Sequence, residues 1–488
     1  MASSRGAEQI LAHSAVQWPG HAAVIDQRGS YSFADVRGAA YEMSNAVRAS
    51  GVAPGAVVGI SLVDARNFLA TLFGVLEAGC VAIPVAPNVS QTEQQRVIAE
   101  TGVSLLVTDR ASDRSIGTVT LFGASTVTVV RFTESTPSVV SELFPDAAVI
   151  RYTSGTTAKS KGVVLSHRAV RERARASQKL LGLRHDDVVL MPLALSYHFV
   201  ASALSCMRAG ATILDCADLI APEMLAFGAR RGATMMYASP IQYELLSRTQ
   251  DAEALPKLRR AISTSALLPK RTADSFFERF GARLTQVYGI IEVGLPLWNE
   301  FESIESTALG ICKAPYEAIV VDERGQEVRA GDVGELAIRG PGLFSGYLRG
   351  DQVGSPQMAE VCLLDGEWFL TGDLVVRDEL GVILYRGRKK TVINCGGNKI
   401  FPEEVEEVLQ RSPDIAAVRV SAEPHPLLGS SVIAEIVVDP TQEVSVEAWR
   451  ALCHSELSEY KVPKEFRVVE SLPSTGSGKI VRYPISDS

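Results

Sequence analysis

Paired cysteines are missing from this sequence. Its seven cysteines are an odd number, scattered with no CxxC and no His/Cys ligand spacing, which excludes a disulfide scaffold and a thiolate zinc site and leaves buried or idle thiols. Positive charge is short as well: 48 Lys plus Arg against 56 Asp plus Glu give a net charge of −8. That balance cannot build a broad basic face, so no nucleic-acid partner is expected and any phosphate binding has to be local. Long apolar runs are absent too. No uninterrupted span of membrane length occurs, and the opening "MASSRGAEQILAHSAVQWPG" has no apolar core behind a positive flank; the expectation is a soluble, cytoplasmic protein with no membrane span. There is no fixed-period repeat and no low-complexity tract.

What is present is enough chain for more than one core. The sequence has 488 residues, 46% of them hydrophobic, beyond what a single core usually organises. Apolar, β-branched runs alternate with helical patterns: "VVGISLV", then "RNFLATLFGVLEAG", "VAIPV", "EQQRVIAETG" and "VSLLVTD". In the second of these, Phe68, Leu69, Leu72, Phe73 and Leu76 recur at helical spacing and Gly79 stops the pattern. This is βαβ grammar, and "DVVLMPL", "GATILDC", "ATMMYASP" and "RRAIST" resume it. The character changes at "LYRGRKKTVINCGGNKIFPEEVEEVLQ", where a cationic, Gly-rich segment leads into an acidic helix. Beyond it, "AAVRV", "SVIAEIVV", a helix with Val446, Trp449, Cys453 and Leu457 on one face, and "FRVVESL" make a small α+β unit. Composition places a boundary near residue 390, giving domains 1–389 and 390–488.

One stretch asks for a chemical explanation. "RYTSGTTAKSKGVVLSHRAV", residues 151–170, concentrates hydroxyls, glycines and lysines between apolar flanks. Small residues let amide and hydroxyl donors approach a polyphosphate, and lysine neutralises it; a Ser/Thr-rich surface loop has the same composition. It is not a Walker A loop, since no Gly directly precedes Lys161 and no Ser or Thr follows it. "STGSGK", residues 474–479, fails too, with Pro473 where the first glycine belongs and Ile480 after Lys479.

Further segments, in a fixed order, decide between these readings. "YTSGTTAKSKGV" follows the phosphate loop Y-T-S-G-T-T-G-x-P-K-G-V of the superfamily of acyl- and aryl-CoA synthetases, adenylation domains and luciferases, with Ala158 for Gly and Ser160 for Pro. "VYGIIEVG" resembles its Y-G-x-T-E, with Ile291 for threonine. "GELAIRGPGLFSGY", "LTGDLV", "YRGRKKTVI", "GGNKIFPEEVE", "YKVP", "PSTGSGKIVR" and "GVLEAGCVAIPVAP" match the remaining motifs. The resemblance runs nearly end to end. It implies an α/β fold: a large N-terminal domain of layered β-sheets flanked by helices, binding ATP and acid, and a small mobile α+β C-terminal domain.

The resemblance also implies a reaction, attack of a carboxylate on the α-phosphorus of ATP to give an acyl adenylate and pyrophosphate, and it implies roles. Thr153, Ser154, Gly155, Thr156, Thr157 and Lys161 would wrap the phosphates, and Glu292 would hold Mg²⁺, which prefers oxygen ligands. Tyr288, beside Gly289, would stack on adenine, with Ser265 and Ala266 of "STSALLP" along its edge, although Thr264 and Ser265 replace two family glycines. Asp373 would accept from the ribose hydroxyls, with Arg388 as a charged partner; read singly, Asp373 is as well explained as a turn former. Lys479 would be delivered between carboxylate and α-phosphate and then withdrawn, Lys390 being the hinge. Gly396 and Gly397 would line the path of a pantetheine thiol, whether from CoA or from a carrier protein's phosphopantetheine.

An aspartate pairs with the substrate ammonium in amino-acid-specific relatives, and its position falls here on Ser196, so a standard amino acid is disfavoured. Tyr197, His198, Tyr237 and Ser239, with Phe199, Val200 and Ala201, outline a mostly apolar pocket for an aryl or other compact acid. A fatty or medium-chain acid, or acyl transfer to an acyl carrier protein, are the alternatives. Ile291 forfeits one hydrogen bond to a charged phosphate, roughly 1.5–3 kcal/mol, or about ten- to a hundredfold in rate, which keeps a catalytically silent regulatory relative in view. The chain is expected as a monomer or homodimer.

Overall fold

The structure, a computed structural model, describes residues 6–87, 91–132, 139–153, 161–249, 254–300, 307–350, 356–359, 361, 363–395, 398–425, 429–439 and 444–473. The chain divides into two compact units. One takes Met1–Thr153, Lys161–Glu317 and Arg339–Cys362; the other takes Ala318–Ile338 and Leu363–Ser488, with Ser154–Ser160.

The first unit holds two sheets. Down the first, the strands run Ala308–Cys312, Gly294–Asn299, Leu284–Ile290, Arg260–Ser263, Met235–Ala238, Val188–Met191, Thr212–Asp215, Ala22–Ile25 and Ser30–Ser32. From Leu284–Ile290 through to Ala22–Ile25 all neighbours are parallel. Parallel strands covered on both faces need side chains apolar on both, and "MMYA" at 235–238 is buried throughout. Their core gathers Leu190, Met236, Ala261, Tyr243 and Phe276 beneath the helices Ala221–Arg231, Pro240–Arg248 and Lys270–Phe280.

The second sheet runs Pro356–Ala359, Gly346–Gly350, Lys161–Ser166, Ala147–Thr153, Val81–Pro84, Val57–Ser61, Val103–Thr108, Ser125–Arg131 and Ser115–Leu121. The expected helix after "VVGISLV" spans Ala65–Glu77 and is buried almost throughout.

In the other unit, Trp368–Arg377 pairs antiparallel with Val333–Arg339 and with Ile383–Arg388. Farther along, Ile415–His425, Gly429–Val438 and Glu465–Val468 form a three-stranded sheet. The helices Pro402–Leu409 and Val446–Glu456 cover it, with Trp449 and Cys453 fully buried in the core. Five of the described cysteines are buried and Cys312 is partly so. Among the described residues no helix is long and apolar enough to cross a membrane.

Candidate active site

Parallel sheets leave a crevice beyond the carboxyl ends of their strands, where loops can hold a ligand. Four neighbouring strands of the first unit end on residues singled out by sequence. Val188–Met191 leads to Ser196, Tyr197 and His198. Met235–Ala238 carries Tyr237 and runs into Ser239, Arg260–Ser263 runs into Ser265 and Ala266, and Leu284–Ile290 carries Tyr288 and Gly289 and turns through Glu292. One sheet edge therefore collects most of the acid-binding and adenine-binding candidates.

The hairpin that presents Glu292 is tightly made. A Cβ on Gly289 would meet Leu295 Cδ2 at 2.5 Å and the Gly294 carbonyl oxygen at 2.9 Å, so only glycine fits there. The turn is then pinned by Arg173, on the helix His167–Leu181 and 1% exposed. Its Nε donates to the Gly342 carbonyl at 2.6 Å, its Nη2 to the Glu292 carbonyl at 2.6 Å and its Nη1 to the Ile291 carbonyl. The Phe344 amide donates to the Glu292 carbonyl as well, at 2.9 Å. Burial brings the Arg173 guanidinium down to about 10, and the carbonyls are the polar partners that let it stay inside.

Lys161, expected from sequence as a phosphate ligand, is linked to the same hairpin through Tyr347 from the second sheet. Thr153 and Lys161 are register partners across the antiparallel strands Ala147–Thr153 and Lys161–Ser166. Gly346–Gly350 pairs on the other side of Lys161–Ser166 and brings Tyr347 opposite Val163. Lys161 Nζ sits 3.3 Å from the centroid of the Tyr347 ring, and the Tyr347 hydroxyl donates to Glu292 Oε1 at 2.8 Å. An ammonium on one ring face and a carboxylate on its hydroxyl are thus held by a single side chain.

The acid-binding candidates lie where Leu195–His198 gives way to one turn of π-helix at Phe199–Ala203, a distortion that recurs at functional sites. The Ser202 hydroxyl donates to the His198 carbonyl, and Arg151 Nη1 donates to the Ser196 carbonyl. Ser196 is buried and its hydroxyl has no partner among the described residues. His198 Nε2 lies 3.5 Å from the Ser265 hydroxyl. Ser265 adopts φ 79°, a left-handed conformation that glycine takes without penalty. Burial pushes the Tyr237 phenol up to about 12, while the Ser239 hydroxyl is engaged by Gln242 Oε1 at 3.0 Å at the start of Pro240–Arg248.

In the other unit, Asp373 and Arg388 face each other across two strands, and Arg388 Nε lies 2.7 Å from Asp373 Oδ1. The turn before Asp373 has Gly372 at φ 75°, and Glu335 braces it by accepting from the Gly372 amide at 3.0 Å and pairing with Lys389 Nζ at 2.8 Å. The Asp373 side chain is 1% exposed, that of Arg388 54%. Lys390 is exposed in the turn that follows Ile383–Arg388. Ser154, Gly155, Thr156, Thr157, Gly396, Gly397 and Lys479 lie outside the described residues, as do the side chains of Thr153 and Tyr197.

The sequence profile of the AMP-binding enzymes matches residues 11–348, and that of the AMP-binding enzyme C-terminal domain matches residues 404–479. The chain belongs to the AMP-binding enzyme family. Among curated members, sulfoacetate–CoA ligase of Cupriavidus necator is 27% identical over 98% of this chain and 96% of its own length. Indoleacetate–CoA ligase of Aromatoleum aromaticum is 28% identical over 97% and 96%. The solved structure of O-succinylbenzoate Coenzyme A synthetase from Bacillus subtilis, in complex with AMP, superposes with a TM-score of 0.83 at 22% identity, covering 97% of both chains. The layered α/β fold expected from the motifs is the one found.

AMP-binding enzyme membership also frames the metal question. Among the described residues no group of three or more His, Cys, Asp or Glu could hold an ion by itself. Mg²⁺ at a nucleotide site takes one or two carboxylates and fills the rest of its shell with phosphate oxygens and water. A half-buried Glu292, oriented through one oxygen by Tyr347, fits that donor set. Two residues that organise this part of the AMP-binding enzyme escaped the sequence reading. Tyr347 is the last letter of "GELAIRGPGLFSGY", a signal that was there to use. Arg173 has none, because an arginine in "HRAVRERARASQKLL" reads as one more solvated charge.

Proposed function

We propose that this protein is an AMP-forming acid–CoA ligase. A carboxylate oxygen attacks the α-phosphorus of ATP while the bond to the bridging oxygen breaks and pyrophosphate leaves. The CoA thiol then attacks the acyl carbonyl, its proton is lost, and AMP departs. The observation that carries this reading is the Lys161–Tyr347–Glu292 contact, a cation and a hard oxygen ligand meeting at the carboxyl edge of a parallel sheet. Lys161, with Thr153 to Thr157, holds the β and γ phosphates; Tyr288 and Ser265 flank the adenine; Asp373 takes the ribose hydroxyls, with Arg388 beside it. Glu292, with the nucleotide's own oxygens, would hold Mg²⁺, which would neutralise phosphate charge. Lys479 offsets the charge that develops in the first transition state.

The acid is an aryl or other compact non-amino acid. Ser196 offers no anion for a substrate ammonium, and the chain beside it is apolar and aromatic at Leu195, Phe199 and Val200. The test is acid-dependent ATP–pyrophosphate exchange over aryl, fatty, dicarboxylic and amino acids, with thioester formation followed with and without CoA. Exchange with at least one aryl acid and a CoA-dependent thioester are expected. No exchange with any acid removes the reading.

A further inference from the structure

Lys161 and Glu292 come from different sheets, and nothing local in the chain ties them together. Tyr347 does so. Its ring lies under the ammonium at 3.3 Å and its hydroxyl reaches the carboxylate at 2.8 Å. The tyrosine is itself well held. It is buried, its ring packs on Phe344 at 4.7 Å between centroids, and its strand is in register with the strand that carries Lys161. The Glu292 backbone is fixed independently by Arg173 and the Phe344 amide. The freedom left at Glu292 is therefore side-chain rotation, and the Tyr347 hydroxyl restrains it at Oε1.

We infer that Tyr347 is a positioning residue for nucleotide binding: its hydroxyl turns the Glu292 carboxylate toward the metal, and its ring face aims the Lys161 ammonium at the phosphates. This rests on the reading of Glu292 as the metal carboxylate and Lys161 as a phosphate ligand. A phenol donating to one carboxylate oxygen leaves the other oxygen to the ion and fixes its direction. An aromatic face attracts a cation without neutralising it, so the lysine keeps its full charge for phosphate. The two halves of the side chain do separable jobs.

That separation makes the inference testable by calorimetric binding of ATP, with no acid and no turnover, in EDTA and across a range of free Mg²⁺. Tyr347→Phe keeps the ring and removes the hydroxyl. It is expected to bind metal-free ATP as the unaltered chain does while needing about ten- to a hundredfold more Mg²⁺ for half-maximal tightening, the weight of one hydrogen bond to a charged group. Tyr347→Leu removes both and is expected also to weaken metal-free binding. In a Glu292→Gln background the Phe substitution should produce no further change in Mg²⁺ requirement, an outcome that a general loosening of the fold would not give. Thermal melts without nucleotide check that each variant is folded.

An unshifted Mg²⁺ requirement in Tyr347→Phe overturns the inference, and so does a shift that persists beside Glu292→Gln. Failure of the unaltered chain to bind Mg·ATP at all would instead overturn the functional reading beneath it. The two failures are told apart by which protein shows them.

Discussion

The single residue on which most geometry turns is Arg173. Its guanidinium reaches the Gly342, Ile291 and Glu292 carbonyls from inside the protein, and only a planar fork with several fixed donors can do that. Lysine has the charge without the fork. Arg173→Lys should leave at least one carbonyl unpaired in a buried setting and cost about 2–4 kcal/mol in denaturant unfolding. The KM for ATP should rise with it, because the turn bearing Glu292 is released. An unchanged unfolding midpoint would mean that water or a neighbour replaces the fork. Ile291 belongs to the same account: the family threonine hydroxyl is gone, but the Ile291 backbone is anchored by Arg173. What the substitution removes is confined to the side chain.

At the level of elements, the helix Pro402–Leu409 carries a titratable group into the core of its unit. Glu406 accepts from the Val420 amide at 2.8 Å, and burial pushes its carboxyl up to about 8, with Arg419 pulling in the opposite direction. The folded value lies above the unfolded one, so the stabilising contribution is complete below about pH 4.5 and is lost as pH rises through about 8. Glu406→Gln keeps an acceptor for Val420 and cannot ionise. Its advantage over the unaltered chain should grow from pH 5 to pH 9, to the order of 2–4 kcal/mol. A constant difference across that range would show that Glu406 ionises without cost. Elements of this kind were legible in the sequence to different depths. Strands such as Met235–Ala238 announce themselves, because burial on both faces leaves a run of apolar residues. The helix Val446–Glu456 showed its buried stripe of Trp449 and Cys453 through periodicity. Contacts between distant segments leave no such trace. Tyr347 stands 55 residues from Glu292, and the turn of π-helix at Phe199–Ala203 breaks the periodicity by which helices are read.

For the molecule as a whole, the residues proposed for the chemistry fall in both units, Lys161 and Glu292 in one, Asp373 and Lys479 in the other. Lys479→Ala should therefore abolish adenylate formation, measured as pyrophosphate exchange, while a supplied acyl adenylate is still converted to its thioester. Equal loss of both half-reactions would mean that the same lysine serves throughout. The register pairing of Thr153 with Lys161 carries a different consequence. Both ends of the proposed phosphate loop are set by the strand ladder, so exchanging residues 154–160 should leave the two strands in register. Grafting the corresponding segment from a relative, which would restore glycine at 158 and proline at 160, should change how tightly pyrophosphate is gripped and leave the address of the lysine untouched. Divergence among such enzymes has in this way a place to experiment without renegotiating the sheet.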